Sequence, residues 1–170
     1  MKLYFTTMEL PTGVAAAAAT DKGLTRLSLK PGGIDGFLDG LESEFGVKAV
    51  HDERPFTALK RELSGYFRGE PVAFTSRLDL RGTEFQKKVW EELMKIPYGN
   101  VRSYGWLART LGNPKAARAV GGALNKNRIP ILIPCHRVVE ASGSLGGFEC
   151  GLDVKVKLLQ VEGVFPAGSQ

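Results

Sequence analysis

The chain changes its folding code at Arg81-Gly82, and that change limits what it can become. Thr83, followed three residues later by Gln86, forms a capping box that opens a new helix. Phe85, Val89, Leu93 and Ile96, broadened by Trp90, line one face of that helix, and Pro97-Tyr98-Gly99-Asn100 breaks it. At 170 residues the chain can bury a real core as one domain or as two small ones, and this joint predicts two, over residues 1–80 and 81–170.

The first half reads as an α/β (α+β) scaffold with an antiparallel sheet and no visible chemistry. Residues 2–6, 14–20 and 24–29 are expected strands, with Asp21-Lys22-Gly23 as turn chemistry between the last two. Ala15 to Ala19 has weak strand propensity, so the middle strand rests on its turn signals. Residues 34–45 and 55–68 read as amphipathic helices, Gly69-Glu70-Pro71 ends the second, and residues 74–80 are extended.

In the second half, Ser103 caps a helix running to Leu111, Gly112-Asn113 makes a turn, and Asn113 with Pro114 starts a third helix ending at Leu124. Two short helices joined this way form either a helix-turn-helix or an ordinary helical hairpin. The third helix carries Ala116, Ala117, Ala119, Gly121, Gly122 and Ala123, with Arg118 as its one long cation and Lys115, Lys126 and Arg128 at its flanks. Such a small-sided surface lets the backbone approach a neighbouring helix or a nucleic-acid groove closely, and the cations favour the groove. The net charge of +5 is compatible with a polyanionic partner but does not identify one.

The apolar run at residues 129–133 reads as a buried strand that delivers Pro134-Cys135-His136-Arg137-Val138 at its mouth. A free thiol, with a pKa of about 8.5, is only slightly ionised at neutral pH, so a nucleophilic cysteine needs cationic or proton-accepting neighbours. The plainer alternative is a buried cysteine beside a surface His-Arg pair. Cys135 and Cys150 are the only cysteines and there are two histidines, and the Cys135-His136 adjacency does not fit zinc-ligand spacing. No metal or cofactor is called for, and Gly146-Gly147 lacks the setting of a nucleotide loop. Without a signal peptide or a spanning apolar run, the expectation is a cytoplasmic protein with reduced thiols, nucleoid-associated if it binds DNA.

Arg81 to Trp90, Ile96-Pro97-Tyr98-Gly99, Ser103-Tyr104, Asn113 to Leu124, Asn127, Ile131 to Val139 and the Gly146-Gly147-Phe148 loop together resemble the O6-alkylguanine-DNA alkyltransferase family. The resemblance covers residues 81–163 closely and the first half loosely. It implies a mainly helical, winged-helix-like helix-turn-helix domain. It also implies repair of double-stranded DNA by irreversible transfer of an alkyl group from O6-alkylguanine, and by extension O4-alkylthymine, to a cysteine. The target base is flipped into a pocket, and a thioether has no good leaving group, so one protein performs one turnover as a monomer.

By the same resemblance Cys135 is the acceptor, His136 its base, Glu162 the acid that orients the histidine and Asn127 the brace of the cysteine turn. Tyr104 crowds the target and hydrogen bonds to the flipped guanine, and Arg118 fills the vacated stack. Lys115, Ala117, Gly121, Lys126 and Arg128 belong to the DNA face. Pro130, Val138, Ser142, Gly143, Leu145, Gly146, Phe148 and Cys150 line the pocket, with backbone donors near Val138 and over residues 142–145. Arg137 is structural. Two positions depart from the family: Phe148 where tyrosine is frequent, and Cys150 where glycine is common and where a disulfide to Cys135 is conceivable on oxidation. A noncatalytic lesion-sensing DNA-binding protein and a Cys-His thiol hydrolase are the alternative readings.

Overall fold

The computed structural model describes residues 1–142, 145–146 and 151–164, and the chain divides into two compact units, Met1–Leu80 and Arg81–Gln170. The first is built on a sheet of order β3-β2-β1-β4, with β1 at Leu3–Leu10, β2 at Gly13–Thr20, β3 at Gly23–Ser28 and β4 at Val50–His51. The first three strands are antiparallel, as expected, whereas β4 joins β1 in parallel through Tyr4↔Val50 and Phe5↔His51. Two residues carry no readable alternation, which is why β4 escapes a sequence reading.

The alanine run of β2 is an adaptation to its position. Ala15, Ala16, Ala17 and Ala18 are all wholly buried, so both faces of this inner strand are covered. Small side chains let the covering layers come close, and burial overrides alanine's weak intrinsic preference for strands. On one face Ala16 and Ala18 pack with Leu3 and with Phe37 and Leu41 of helix α1 (Ile34–Phe45). Helix α2 (Thr57–Phe67) follows a 3₁₀ turn at Arg54–Phe56 and buries Leu59, Leu63 and Tyr66. The extended residues 74–80 attach to β3, Leu24 N donating to Arg77 O at 2.8 Å and Asp79 N to Leu24 O at 2.8 Å. Gly23, at φ +144°, permits this approach, since a Cβ there would lie 2.4 Å from the Arg77 carbonyl oxygen.

The second unit opens with helix α3 (Glu84–Leu93), whose Thr83–Gln86 capping box is formed in both directions. Its Trp90 is buried, and the indole N–H donates to Ala123 O at 2.9 Å, tying α3 to helix α5 (Ala117–Asn125). Helix α4 (Tyr104–Thr110) is capped by Ser103, which accepts from Trp106 N at 3.0 Å. The third helix starts later than expected. Asn113 and Pro114 lie in the connecting turn, where the Asn113 carbonyl, not its side chain, accepts from Ala116 N, and α5 has no side-chain cap. Short strands β5 (Arg102–Ser103) and β6 (Val138–Val139) pair in parallel, and helix α6 (Leu152–Val161) completes the unit.

Candidate active site

The apolar run before the cysteine is buried, but it is a turn and not a strand. Ile133 N donates to Ile129 O at 3.0 Å, and Ile131 has φ +75°, a conformation a β-branched residue adopts only when its surroundings dictate it. Asn127 supplies the pairing that a neighbouring strand would otherwise give. Its Oδ1 accepts from Ile129 N at 2.9 Å, while its Nδ2 donates to Ile133 O at 2.8 Å and lies 3.1 Å from Cys135 Sγ. One buried amide therefore closes the turn and also presents a donor to the sulfur, which favours the thiolate over the thiol.

Cys135–Arg137 forms a 3₁₀ turn, where an extended chain was expected. Successive side chains in such a turn diverge by roughly 120°, and here they separate into different environments. His136 is fully buried and its Nε2 lies 2.5 Å from Glu162 Oε2. Arg137 grips the same carboxylate, through Nε to Oε1 at 2.8 Å and Nη2 to Oε2 at 3.0 Å, and its Nη1 reaches Ile96 O at 2.7 Å. Gly99 N adds a fourth donor to Glu162 at 3.0 Å, and Tyr98 Oη donates to Val161 O at 3.0 Å.

The titration of this cluster follows from those contacts. Burial alone would raise the Glu162 carboxyl, but hydrogen bonds from His136 and Arg137 outweigh it and hold the pKa at about 2. Burial pushes the His136 imidazolium the other way, down from its usual range, against the pull of Glu162. At neutral pH the pair is thus an ionised carboxylate and a neutral imidazole. A carboxylate only accepts, so the proton sits on Nε2 and Nδ1 is the accepting nitrogen.

Tyr104, the first residue of α4, is half-buried. Its hydroxyl is raised above the usual phenol range by burial first and then by Cys135 and Glu140, so it is a hydrogen-bond donor at neutral pH. Gly146 seats against it, with φ +71° and no room for a side chain: a Cβ would fall 2.8 Å from the Tyr104 hydroxyl oxygen. Pro130 and Val138 are buried, Ser142 is exposed and Leu145 is half-buried. Gly143, Phe148 and Cys150 lie outside the described residues. Val138 does not offer the expected backbone donor, because its N–H donates to Cys135 O within the turn.

The residue that sequence reasoning missed is Lys155. It is wholly buried on α6, donating to Val138 O at 2.8 Å and to Leu145 O, and so ties together both ends of the segment between them. Burial lowers its ammonium to about 8, against the opposing influence of Cys135 and Glu140. A signal was present: Val154, Lys155, Leu158, Leu159 and Glu162 fall at one helical spacing, whereas Lys157 does not.

On α5 the buried residues are Val120, Ala123 and Leu124, leaving Ala117, Arg118, Ala119 and Gly122 exposed and Gly121 partly so. No atom stands within 4 Å of where a Cβ would project from Gly121 or Gly122. Lys115, Lys126 and Arg128 are exposed around this open, small-sided face.

A helix pair with an open face, in one unit with a buried Cys-His-Glu-Asn cluster, suits a DNA-handling protein with a thiol acceptor, and comparison with known proteins identifies the class. Residues 84–164 match the model of the 6-O-methylguanine DNA methyltransferase DNA-binding domain, and residues 3–80 match the ribonuclease-like domain of the same proteins. A methylated-DNA--protein-cysteine methyltransferase of Methanosarcina acetivorans is 43% identical over 95% of this chain and 99% of its own. One from Mycolicibacterium paratuberculosis is 42% identical over 94% and 92%. Among solved structures, Mycobacterium tuberculosis OGT in complex with DNA has a TM-score of 0.80 at 39% identity, covering 94% of this chain and 93% of that one. The chain belongs to the 6-O-methylguanine DNA methyltransferase family.

Acid stability tests the buried cluster. Glu162 has a folded pKa of about 2 against an ordinary 4.5, so its stabilising effect is complete above pH 4.5 and is lost as pH falls toward 2. The depressed His136 adds a loss that begins below its ordinary 6.5. Denaturant unfolding should show stability falling with acid from pH 6.5, with on the order of 3 kcal/mol from Glu162 lost between pH 4.5 and 2. Glu162→Gln should be less stable at pH 7 and should flatten the lower part of that profile; an unchanged profile contradicts the assignment.

Proposed function

We propose that the protein repairs DNA by moving an alkyl group from the O6 atom of guanine onto Cys135, once per protein molecule, with Cys135, His136, Glu162, Asn127 and Tyr104 as the residues that carry the reaction. The observation that supports it best is the Asn127 amide 3.1 Å from the Cys135 sulfur, within a turn held from below by Glu162. His136 Nδ1 takes the thiol proton, by way of a water because neighbouring side chains of the turn diverge. The thiolate attacks the alkyl carbon in line, the S–C bond forms as the C–O6 bond breaks, and the electron pair passes to guanine. Tyr104, held in its protonated form, donates a hydrogen bond to the departing base and so stabilises the growing charge. Asn127 and Glu162 act through the turn and the histidine, as positioning residues.

The substrate is a duplex, because the open face of α5 suits close approach to a groove and Arg118 stands exposed at its centre. Flipping the target costs a few kcal/mol of lost stacking, which an inserted arginine offsets. Lys115, Lys126 and Arg128 neutralise phosphates. The pocket is bounded by Tyr104, Gly146, Val138 and Leu145, the last two tied together by Lys155, and the first unit serves as the scaffold domain. The reaction needs a reduced thiol, which supports a cytoplasmic, nucleoid-associated location. Among the described residues no helix is long and apolar enough to cross a membrane.

Intact-mass measurement tests the reaction. One equivalent of duplex carrying O6-methylguanine should add a single methyl group, mapped to Cys135, and Cys135→Ser should bind the duplex but gain nothing. A methyl group on another residue, or repeated turnover, contradicts the reading.

The division of labour has its own test. Arg118→Ala should slow repair of duplex by about ten- to hundred-fold, the equivalent of a few kcal/mol of flipping free energy. Its reaction with free O6-benzylguanine should change little. Equal losses on both substrates contradict a role in base extrusion.

A further inference from the structure

Glu140 belongs to no part of the mechanism above, yet it stands at the edge of the reacting groups. β5 and β6 pair as Arg102↔Val138 and Ser103↔Val139, and the residues that directly follow the paired ones are Tyr104, which opens α4, and Glu140. The pairing therefore sets the backbone of Glu140, an exposed residue, near that of the half-buried Tyr104. Two residues earlier, the Val138 carbonyl holds the Lys155 ammonium at 2.8 Å. Tyr104 and Lys155 each feel negative charge from two sources, Cys135 and Glu140, so the sulfur and this carboxylate converge electrostatically on the same two groups.

We propose that Glu140 is a specificity-determining residue, whose carboxylate at the pocket rim selects neutral alkyl adducts over adducts that carry their own negative charge, such as a carboxymethyl group. This inference rests on the alkyl-transfer reading. In the carboxymethyl reaction the Cys135 S–CH₂ bond forms, the CH₂–O6 bond breaks, the electron pair goes to guanine, which takes up a proton, and the carboxylate stays on the transferred group. Nothing is oxidised or reduced. During attack the thiolate, the adduct carboxylate and Glu140 bring three negative charges near two buried cations, Lys155 and Arg137, of which Arg137 is already paired with Glu162. A neutral adduct brings one fewer.

The test compares single-turnover rates on one duplex sequence carrying O6-methyl-, O6-ethyl- or O6-carboxymethylguanine, with protein in excess and at saturation. Glu140→Gln keeps the side-chain size and removes the charge. The carboxymethyl-to-methyl rate ratio should rise about three- to ten-fold, the range one screened like-charge pair supplies. Glu140→Lys should raise it further, and added salt should narrow the gap between the unmodified protein and Glu140→Gln. The ethyl-to-methyl ratio, which reads size without charge, should stay constant. A carboxymethyl-to-methyl ratio that is unchanged, including one that is zero in both proteins, overturns the role of Glu140, as does an ethyl ratio that moves in parallel. Absence of methyl transfer by the unmodified protein overturns the alkyl-transfer reading and this inference with it.

Discussion

One buried carboxylate organises the chemical half of this protein. Glu162 sits at the end of α6 and accepts from the His136 ring, the Arg137 guanidinium and the Gly99 amide. Those three donors come from the cysteine turn and from the loop after α3, so the one carboxylate fixes the turn against two helices at once. Burying an ion is costly unless it is paired and fully hydrogen bonded, and four donor contacts meet that condition. Removing the carboxylate would leave a buried guanidinium and a buried imidazole without their shared partner.

The same economy of polar groups holds on the other side of Cys135. Asn127 closes a strained apolar turn with one amide and presents a donor to the sulfur with the same nitrogen. Lys155, a buried cation like Arg137, ties Val138 to Leu145. Structure and titration are therefore not separable here, because the packing that buries His136 and the hydrogen bonds that hold Glu162 ionised are the same contacts that set the turn.

Much of this was legible in the sequence, for local reasons. The joint at Arg81-Gly82, the Thr83–Gln86 box and the Ser103 cap depend on residues three positions apart, so they survive any tertiary context. The 129–133 run misled because an apolar stretch bounded by prolines reads as a strand, and only the Asn127 side chain, acting from outside it, shows where its backbone bonds go. Asn113-Pro114 gave a plausible helix start that the chain passes over for Ala116. β4 was too short to carry a pattern. At the candidate site, the resemblance pointed to Cys135, His136, Asn127, Tyr104 and Glu162, and the structure joins Asn127 to Cys135 and His136 to Glu162, whereas Lys155 was hidden by its charge, since a lysine is assumed to face water until its helical neighbours are counted.

The account turns on burial holding His136 as a neutral imidazole and on Glu162 fixing its proton on Nε2. The most direct measurement is ¹⁵N NMR of the histidine side chains at pH 7; the chain has two, and the exposed His51 is assigned by its loss in His51→Gln. The account predicts that His136 shows a protonated Nε2 and an unprotonated Nδ1, and that Glu162→Gln disturbs this state. A neutral ring protonated on Nδ1, or an imidazolium at pH 7, would contradict it.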